Sequence, residues 1–335
     1  MKKIFVSGCT GYIGSHTCVE LLDAGYEVVG LDNFSNSKKE VLERIKLITG
    51  KCIKFYEGDM LDKNILSKIF SENEISCVID FAAYKSVGDS VKKPIEYYTN
   101  NVSSVLNLLS VMKEYNVKSI VFSSSATVYG LAEKMPITEN TPIGNTTNPY
   151  GTSKLFCEQI LKDLYDSDNE WNICIFRYFN PVGSHKSHLI GEEPNGIPAN
   201  LMPFISKVAI GEIPCLNVFG NDYDTPDGTG VRDYIHIVDL AKAHVCGIKK
   251  LENTINGLHI YNLGTGNGYS VLEMVNTYEK VNNIKIKYKI VDRRPGDVAI
   301  CFADVKKANE ELNWKAELNL EDMCRDSYLF NKNNR

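Results

Sequence analysis

Short apolar runs alternate with amphipathic stretches from the first residues of the chain. Ile4-Phe5-Val6, inside Lys3–Ser7, is continuously apolar, the pattern of a strand covered on both faces. A helical spacing follows through Ile13, Cys18, Leu21 and Leu22, and Gly25 stands where a helix stops. A second apolar run, Glu27-Val28-Val29-Gly30-Leu31, ends on Asp32. Further strands are predicted at Ile53 to Glu57, Cys77 to Ala82, Ser119 to Phe122 and Trp171 to Arg177, with helices at about 62–73, 94–116 and 149–167. This alternation predicts an α/β fold built on a doubly wound parallel sheet. Ligands of such sheets bind beyond the carboxyl ends of the strands. Asp59, Phe81-Ala82-Ala83 and Ser123-Ser124-Ser125 are expected there, lining one crevice. After about residue 180 the texture changes: Pro181 to Pro203 and Val218 to Gly230, rich in Gly, Pro, Asn and Asp, read as long loops. The expected division is a Rossmann-type dinucleotide domain over 1–180, to which part of 233–265 returns, and a smaller mixed α/β substrate domain over 181–335.

Two motifs carry chemistry. Gly8-Cys9-Thr10-Gly11-Tyr12-Ile13-Gly14 joins the first strand to the first helix, where glycines admit a pyrophosphate and free helix amides receive it. Asp32, 18 residues after Gly14, stands where a carboxylate grips the adenosine ribose. It would repel the extra phosphate of NADP, so NAD is the expected cofactor. The second motif is Tyr150-Gly151-Thr152-Ser153-Lys154, preceded by Asn148 as a helix cap and Pro149 as the first helical residue. On a helix the phenol and the ammonium share one face. To act as a base near neutral pH a tyrosine needs about three units of help, roughly 4 kcal/mol. One cation about 4 Å away supplies ~4 kcal/mol at an effective dielectric of ~20. Lys154 is therefore expected to supply nearly all of the activation, and a second positive charge the remainder.

Composition narrows the field. A chain of 335 residues with 43% hydrophobic content is ordinary for a globular protein, and the net charge of −5 argues against a nucleic-acid partner. No apolar run approaches membrane-spanning length, and the first strand begins at once, without a signal peptide. The 10 cysteines are scattered singly, with no Cys-x-x-Cys pair, which fits a reducing cytoplasm and no zinc site. His185 and His188, three apart in a loop, lack partners in sequence, so no metal is expected.

At this point a resemblance enters. Gly8-x-x-Gly11-x-x-Gly14, Ser123-Ser124-Ser125-Ala126-Thr127-Val128-Tyr129-Gly130 and Tyr150-x-x-x-Lys154 together resemble the extended short-chain dehydrogenase/reductases. Gly11–Thr17, Arg177-Tyr178-Phe179-Asn180-Pro181, Gly228–His236 and Tyr261-Asn262-Leu263-Gly264 are similar to the UDP-glucose 4-epimerase family within them, and the likeness extends to about Trp314. It implies tightly held NAD, a UDP-glucose/UDP-galactose substrate and a homodimer paired through the helices at 94–116 and 149–167. It implies Tyr150, Lys154 and Ser125 as the catalytic residues. Cofactor contacts implied with them are Gly8, Gly11, Tyr12, Ile13, Gly14, Asp32, Asn33, Phe34, Ser35, Asn36, Ser37, Asp59, Met60, Phe81, Ala82, Ala83, Tyr84, Lys85, Asn100 and Phe179.

The diphosphate calls for guanidinium groups, which match its oxygens in bidentate fashion. The resemblance carries over Arg232 and Arg294 for the pyrophosphate, with Asp297 near the uridine ribose. It also carries over Asn180, Asn200 and Leu201 for the diphosphate-sugar region, and Asn217, Val218 and Phe219 for the uracil. Asn262 to Gly268 reads as a structural turn before a helix near Ser270, not as a second phosphate loop. Cys301 matches a position flanking the sugar's 2-substituent, where a small residue leaves room for an acetamido group; UDP-GlcNAc and UDP-GalNAc are thus expected as further substrates. The same opening oxidation serves a UDP-glucuronate 4-epimerase or decarboxylase, which stays open, as does a non-catalytic NAD-binding regulator. A 4,6-dehydratase needs an acidic residue just after the strand-end serine, where Ala126 and Thr127 stand.

Overall fold

The computed structural model describes residues 1–194, 196, 198, 200–294 and 297–334. The elements run β1 (Lys3–Ser7), α1 (Tyr12–Asp23), β2 (Glu27–Asp32), α2 (Glu40–Thr49), β3 (Lys54–Glu57), α3 (Lys63–Glu72), β4 (Ile75–Asp80), α4 (Val87–Lys92), α5 (Pro94–Glu114), β5 (Ser119–Ser125), α6 (Pro149–Ser167) and β6 (Asn172–Tyr178). Then come β7 (Asn180–Val182), α7 (Leu201–Ala209), β8 (Leu216–Phe219), β9 (Val231–His236), α8 (Ile237–Asn253), β10 (Gly257–Leu263), β11 (Gly268–Ser270), α9 (Val271–Asn282), β12 (Tyr288–Val291), β13 (Ile300–Cys301), α10 (Lys306–Leu312) and α11 (Leu320–Asn333).

Seven strands form one parallel sheet in the order β10-β6-β5-β4-β1-β2-β3. The order reverses between β1 and β4, the switch point beyond whose carboxyl ends such sheets take their ligands. Because both faces are covered, the strands are continuously apolar. One face packs Cys18, Leu21 and Leu22 of α1 and Leu240 and Ile248 of α8; the other packs Leu66 and Phe70 of α3, Leu108 of α5 and Leu161 of α6. A smaller layer joins β11, β9 and β13, with β7 also on β9, and a separate pair β12-β8. Its core is Met202, Ile205, Val218, Met274, Tyr278 and Met323.

Several expectations are corrected. The stretch expected as a loop over Pro181 to Pro203 contains most of β7 and the opening of α7, and β8 runs through Val218 and Phe219. Ser123 and Ser124 lie inside β5, which runs on to Ser125. Those hydroxyl-bearing positions are buried because the structure provides them partners. α2 and α4 are helices that the apolar pattern did not mark: α2 buries only Ile45, and α4 is too short to show a period.

Candidate active site

The start of α6 is built as its sequence dictates. Asn148 Oδ1 accepts the Gly151 amide at 2.8 Å, Pro149 occupies the first turn, and Tyr150 follows it. Lys154, one turn on, is buried; its Nζ donates to the Ser123 carbonyl at 2.6 Å and lies 4.9 Å from the centre of the Phe122 ring. Ser125, the last residue of β5, accepts from both the Thr127 amide (3.2 Å) and the Thr127 hydroxyl (3.0 Å). With both lone pairs engaged, its own proton is left to donate outward, and the group it acts on is the Tyr150 phenol.

The electrostatics correct one expectation. Burial pushes the Tyr150 phenol up to about 12, opposed by the hydrogen bond with Ser125. Burial also lowers the Lys154 ammonium, opposed by Cys157, Asp80 and Glu158. Lys154 thus does not by itself make the phenol basic: the desolvation that brings the pair together works against the charged form of each, and the ammonium is turned toward a carbonyl.

At the switch point, Gly8 adopts φ +63°, and a Cβ on Gly14 would sit 2.1 Å from the Gly8 carbonyl oxygen, so the turn closes only on glycine. The N-cap of α1 is Gly11, which makes no side-chain cap, leaving the first-turn amides to a ligand. Asp32 accepts from the Thr10 amide (3.0 Å), the Phe34 amide (2.9 Å) and the Ser37 hydroxyl (2.9 Å). A carboxylate offers about four acceptor sites, so one remains for a ribose hydroxyl. These features fit a dinucleotide.

The other expected cofactor residues gather around the same strand ends. Asn33 donates to Asp59 at 2.9 Å and accepts the Ser35 amide at 3.0 Å, while Phe34 packs against Phe55. Phe81 and Ala82 donate their amides to Ser7 Oγ, the Tyr84 amide donates to Asn101, and Asn100 donates to Asn101. Met60 and Phe179 are buried, and the Phe179 amide donates to the Leu263 carbonyl. The Tyr12 hydroxyl donates to the Gly183 carbonyl at 2.8 Å. Lys85 is paired with Glu192 at 3.0 Å, so it is already engaged by protein.

On the smaller layer, Arg232 and Cys301 are register partners on β9 and β13. Arg232 pairs with Asp297 at 3.3 Å, which ties together two of the expected substrate residues. Arg294 stacks 3.9 Å from the centre of the Phe219 ring, where Asn217, Val218 and Phe219 form β8. Asn180 donates to the Asp233 carbonyl at 3.2 Å, and Asn200 donates to Glu192 at 3.1 Å, just before Leu201 opens α7. The Asn262–Gly268 segment is a structural turn. The buried Asp233 carboxylate takes its Thr265 and Gly266 amides at 2.8 and 3.0 Å, and Ser270 then caps α9 with a capping box.

Sequence reasoning missed the groups beneath the site. Glu158, one turn beyond Lys154, accepts from Arg177 Nε at 2.9 Å, Arg177 Nη2 at 2.7 Å and Ser124 Oγ at 2.6 Å. Its four-residue spacing from Lys154 was the available signal. Asp80 and Ser7 read as ordinary strand ends, and nothing local marked them. Two cavities lie away from these residues: one of about 580 Å³ at the amino ends of the strands between Lys3, Phe70 and Tyr115, and one of about 420 Å³ near Pro136 and Phe302. Convergent polar side chains at the strand ends mark the site. Among the described residues no group of three or more His, Cys, Asp or Glu is placed to hold a metal ion, and no helix is long and apolar enough to cross a membrane.

Comparison with known proteins adds to this geometry. The family model described as GDP-mannose 4,6 dehydratase matches residues 5–327. The UDP-glucose 4-epimerase of Bacillus subtilis (strain 168) is 57% identical over 331 residues, covering 99% of this chain and 97% of that protein. The UDP-glucose 4-epimerase of Homo sapiens is 52% identical over 339 residues, covering 99% and 97%. The crystal structure of UDP-glucose 4-epimerase from Bifidobacterium longum, in complex with NAD+ and UDP, superposes with a TM-score of 0.96 at 56% identity, covering 99% of each chain.

Proposed function

The chain belongs to the UDP-glucose 4-epimerase family, among the extended short-chain dehydrogenase/reductases, and from that premise we propose how its residues divide the work. The enzyme is an NAD-dependent isomerase that interconverts UDP-galactose and UDP-glucose through transient oxidation at C4. The observation that supports the residue assignment is the hydrogen bond between Ser125, at the end of β5, and Tyr150 on the first turn of α6, with Lys154 one turn further along that helix.

The Gly8–Gly14 turn and Asp32 would hold NAD, which when bound would supply the acceptor and later the donor of the C4 hydrogen and, while oxidised, a positive charge. Tyr150, as phenolate, takes the proton of the sugar's 4-hydroxyl. Ser125 donates to the same oxygen and holds it in line. Lys154 supplies one cation of the two that a buried phenol needs. Arg232, Arg294, Asn180, Asn200, Leu201, Asp297 and β8 hold the UDP while the 4-keto sugar turns its other face. Tyr150 then returns the proton. Net redox change is zero, which removes any need for the cofactor to leave.

The dehydratase name of the family model describes a wider group. After Ser125 the chain has Ala126 and Thr127, and the Thr127 hydroxyl turns back to Ser125, so neither offers the carboxyl that water removal requires. The test is direct: protein purified without added NAD should retain it and convert UDP-galactose to UDP-glucose. Absence of conversion by protein that holds NAD refutes the reading.

Three finer assignments belong to the same proposal. Cys301, the register partner of Arg232, leaves space beside the sugar, so UDP-GlcNAc and UDP-GalNAc are interconverted as well, and Cys301→Tyr removes that activity while sparing the plain sugars. A wild type inactive on the N-acetyl pair contradicts this. The chain forms a homodimer through α5 and α6, whose Leu106 and Phe156 are large apolar side chains left exposed, Phe156 stacking on Tyr98; a monomer in sedimentation contradicts it. The ten cysteines are all free thiols, in keeping with a cytoplasmic protein.

A further inference from the structure

On the face of the main sheet that α6 covers, β1, β4, β5 and β6 present Ser7, Asp80, Phe122, Ser124 and Arg177. Ser7 is in register with Asp80, Asp80 with Phe122, and Ser124 with Arg177. Two buried carboxylates lie there, and they are answered differently. Glu158 is met by both arms of Arg177 and by Ser124, with Lys162 at 3.8 Å. Asp80, 2% exposed, receives the Ser7 hydroxyl at 2.5 Å. That hydroxyl already accepts the Phe81 and Ala82 amides at 3.0 and 3.1 Å, so its proton is committed to the carboxylate, which therefore acts as acceptor. Among the described residues no Lys or Arg nitrogen pairs with Asp80 within 4.0 Å. Burial raises the Asp80 carboxyl, and the Ser7 hydroxyl and Lys154 oppose it, Lys154 being the cation whose ammonium rests on Phe122, the register neighbour of Asp80.

We propose that Asp80 is the fixed counter-charge of Lys154, a positioning residue that keeps the ammonium protonated and limits how strongly it attracts the Tyr150 phenolate. A buried ammonium tends to lose its proton unless a negative charge stands near it. Glu158 is already balanced by Arg177, so Asp80 is the unbalanced charge. The other titratable groups around the pair are Cys157 on α6, Tyr97 on α5 and Tyr178 on β6. Burial raises all three, so they stay neutral through the working range. Tyr178 bonds His244 at 2.5 Å, and burial holds that imidazole neutral at about 4.

The inference rests on Tyr150 being the base, and its test separates the two. Phenolate formation is followed by ultraviolet difference titration of the NAD-loaded wild type, Tyr150→Phe, Asp80→Asn and Asp80→Ser, beside pH profiles of turnover. The step assigned to Tyr150 is absent in Tyr150→Phe. It falls by about half a unit to one unit in both Asp80 variants over the pH range below the Lys154 transition, because there the field of the ammonium is no longer opposed. Both limbs of the pH profile move the same way, the alkaline limb because Lys154 has lost its counter-charge. A step that stays in place while turnover drops reduces Asp80 to a packing role and overturns the inference, and either variant alone decides. A step that persists in Tyr150→Phe overturns the base assignment itself, and the inference with it.

Discussion

Two arginine–carboxylate pairs, one under the main sheet's helix α6 and one on the smaller layer, are built differently. Beneath α6, Arg177 and Glu158 have side chains 2% and 0% exposed and meet through two nitrogens at 2.9 and 2.7 Å. On the smaller layer, Arg232 and Asp297 are 22% and 38% exposed and meet once, at 3.3 Å. The buried pair fixes α6 against β5 and β6, and with it the position of Tyr150 and Lys154. Proton and hydride transfer need that fixity, since reacting atoms must be held to within a fraction of an ångström. In the proposed assignment the exposed pair is the one that receives the charged ligand. Its guanidinium exchanges a weak protein partner for phosphate oxygens at little cost. On the proposed assignment the buried pair belongs to a frame for chemistry and the exposed pair to a handle for UDP.

The largest expected effect tests the frame at its reacting atom. Tyr150→Phe should lower kcat by about a thousandfold, the scale of a lost general base, while calorimetry finds UDP affinity within about twofold of wild type. Arg177→Met probes the support. It strands a buried carboxylate, so denaturant unfolding should show a loss of about 3–5 kcal/mol. The matching change on the smaller layer, Arg232→Met, should cost at most about 1 kcal/mol of stability and instead weaken UDP binding by about ten- to a hundredfold. If the two arginine variants lose stability equally, the contrast between frame and handle fails.

The smallest effect concerns acid. Burial lowers His16 to about 3 and His244 to about 4, from an ordinary 6.5. Between those values the unfolded chain binds protons that the folded chain refuses. The stability these two groups contribute is therefore complete above about pH 6.5 and is lost as pH falls toward 4. His16 lies on α1 and His244 packs against Phe81 and Tyr178, so both belong to the frame. Unfolding midpoints should fall between pH 7.5 and pH 5, and His244→Gln should flatten that fall. A midpoint insensitive to pH across this range contradicts the assignment.

The contrast also explains what the sequence disclosed. The start of α6 was legible because Asn148 and Pro149 are local signals, and a cap acts within three residues. The glycine turn was legible because Gly14 admits no substitute next to Gly8. The strand positions followed from continuous apolar runs, and the helix opening near Ser270 from the Asn262 to Gly268 turn before it. What escaped notice depends on distant partners. Ser7 and Asp80 are 73 residues apart, and Ser123 and Ser124 look like loop residues until Tyr178, Lys154 and Glu158 are placed around them. The basicity of Tyr150 was misjudged for the same reason: spacing shows that a lysine is near, but not that burial opposes both charges. The arginines of the handle were legible as chemistry but not as geometry, since their partners lie on another strand or loop.

The central claim is that one hydrogen leaves C4 of the sugar and returns to the same carbon within a closed site, while Tyr150 keeps the hydroxyl proton. UDP-galactose carrying deuterium at C4, supplied to the purified protein in ordinary water without added cofactor, tests it. The account predicts UDP-glucose with the deuterium still at C4; UDP-glucose with protium at C4 would contradict it.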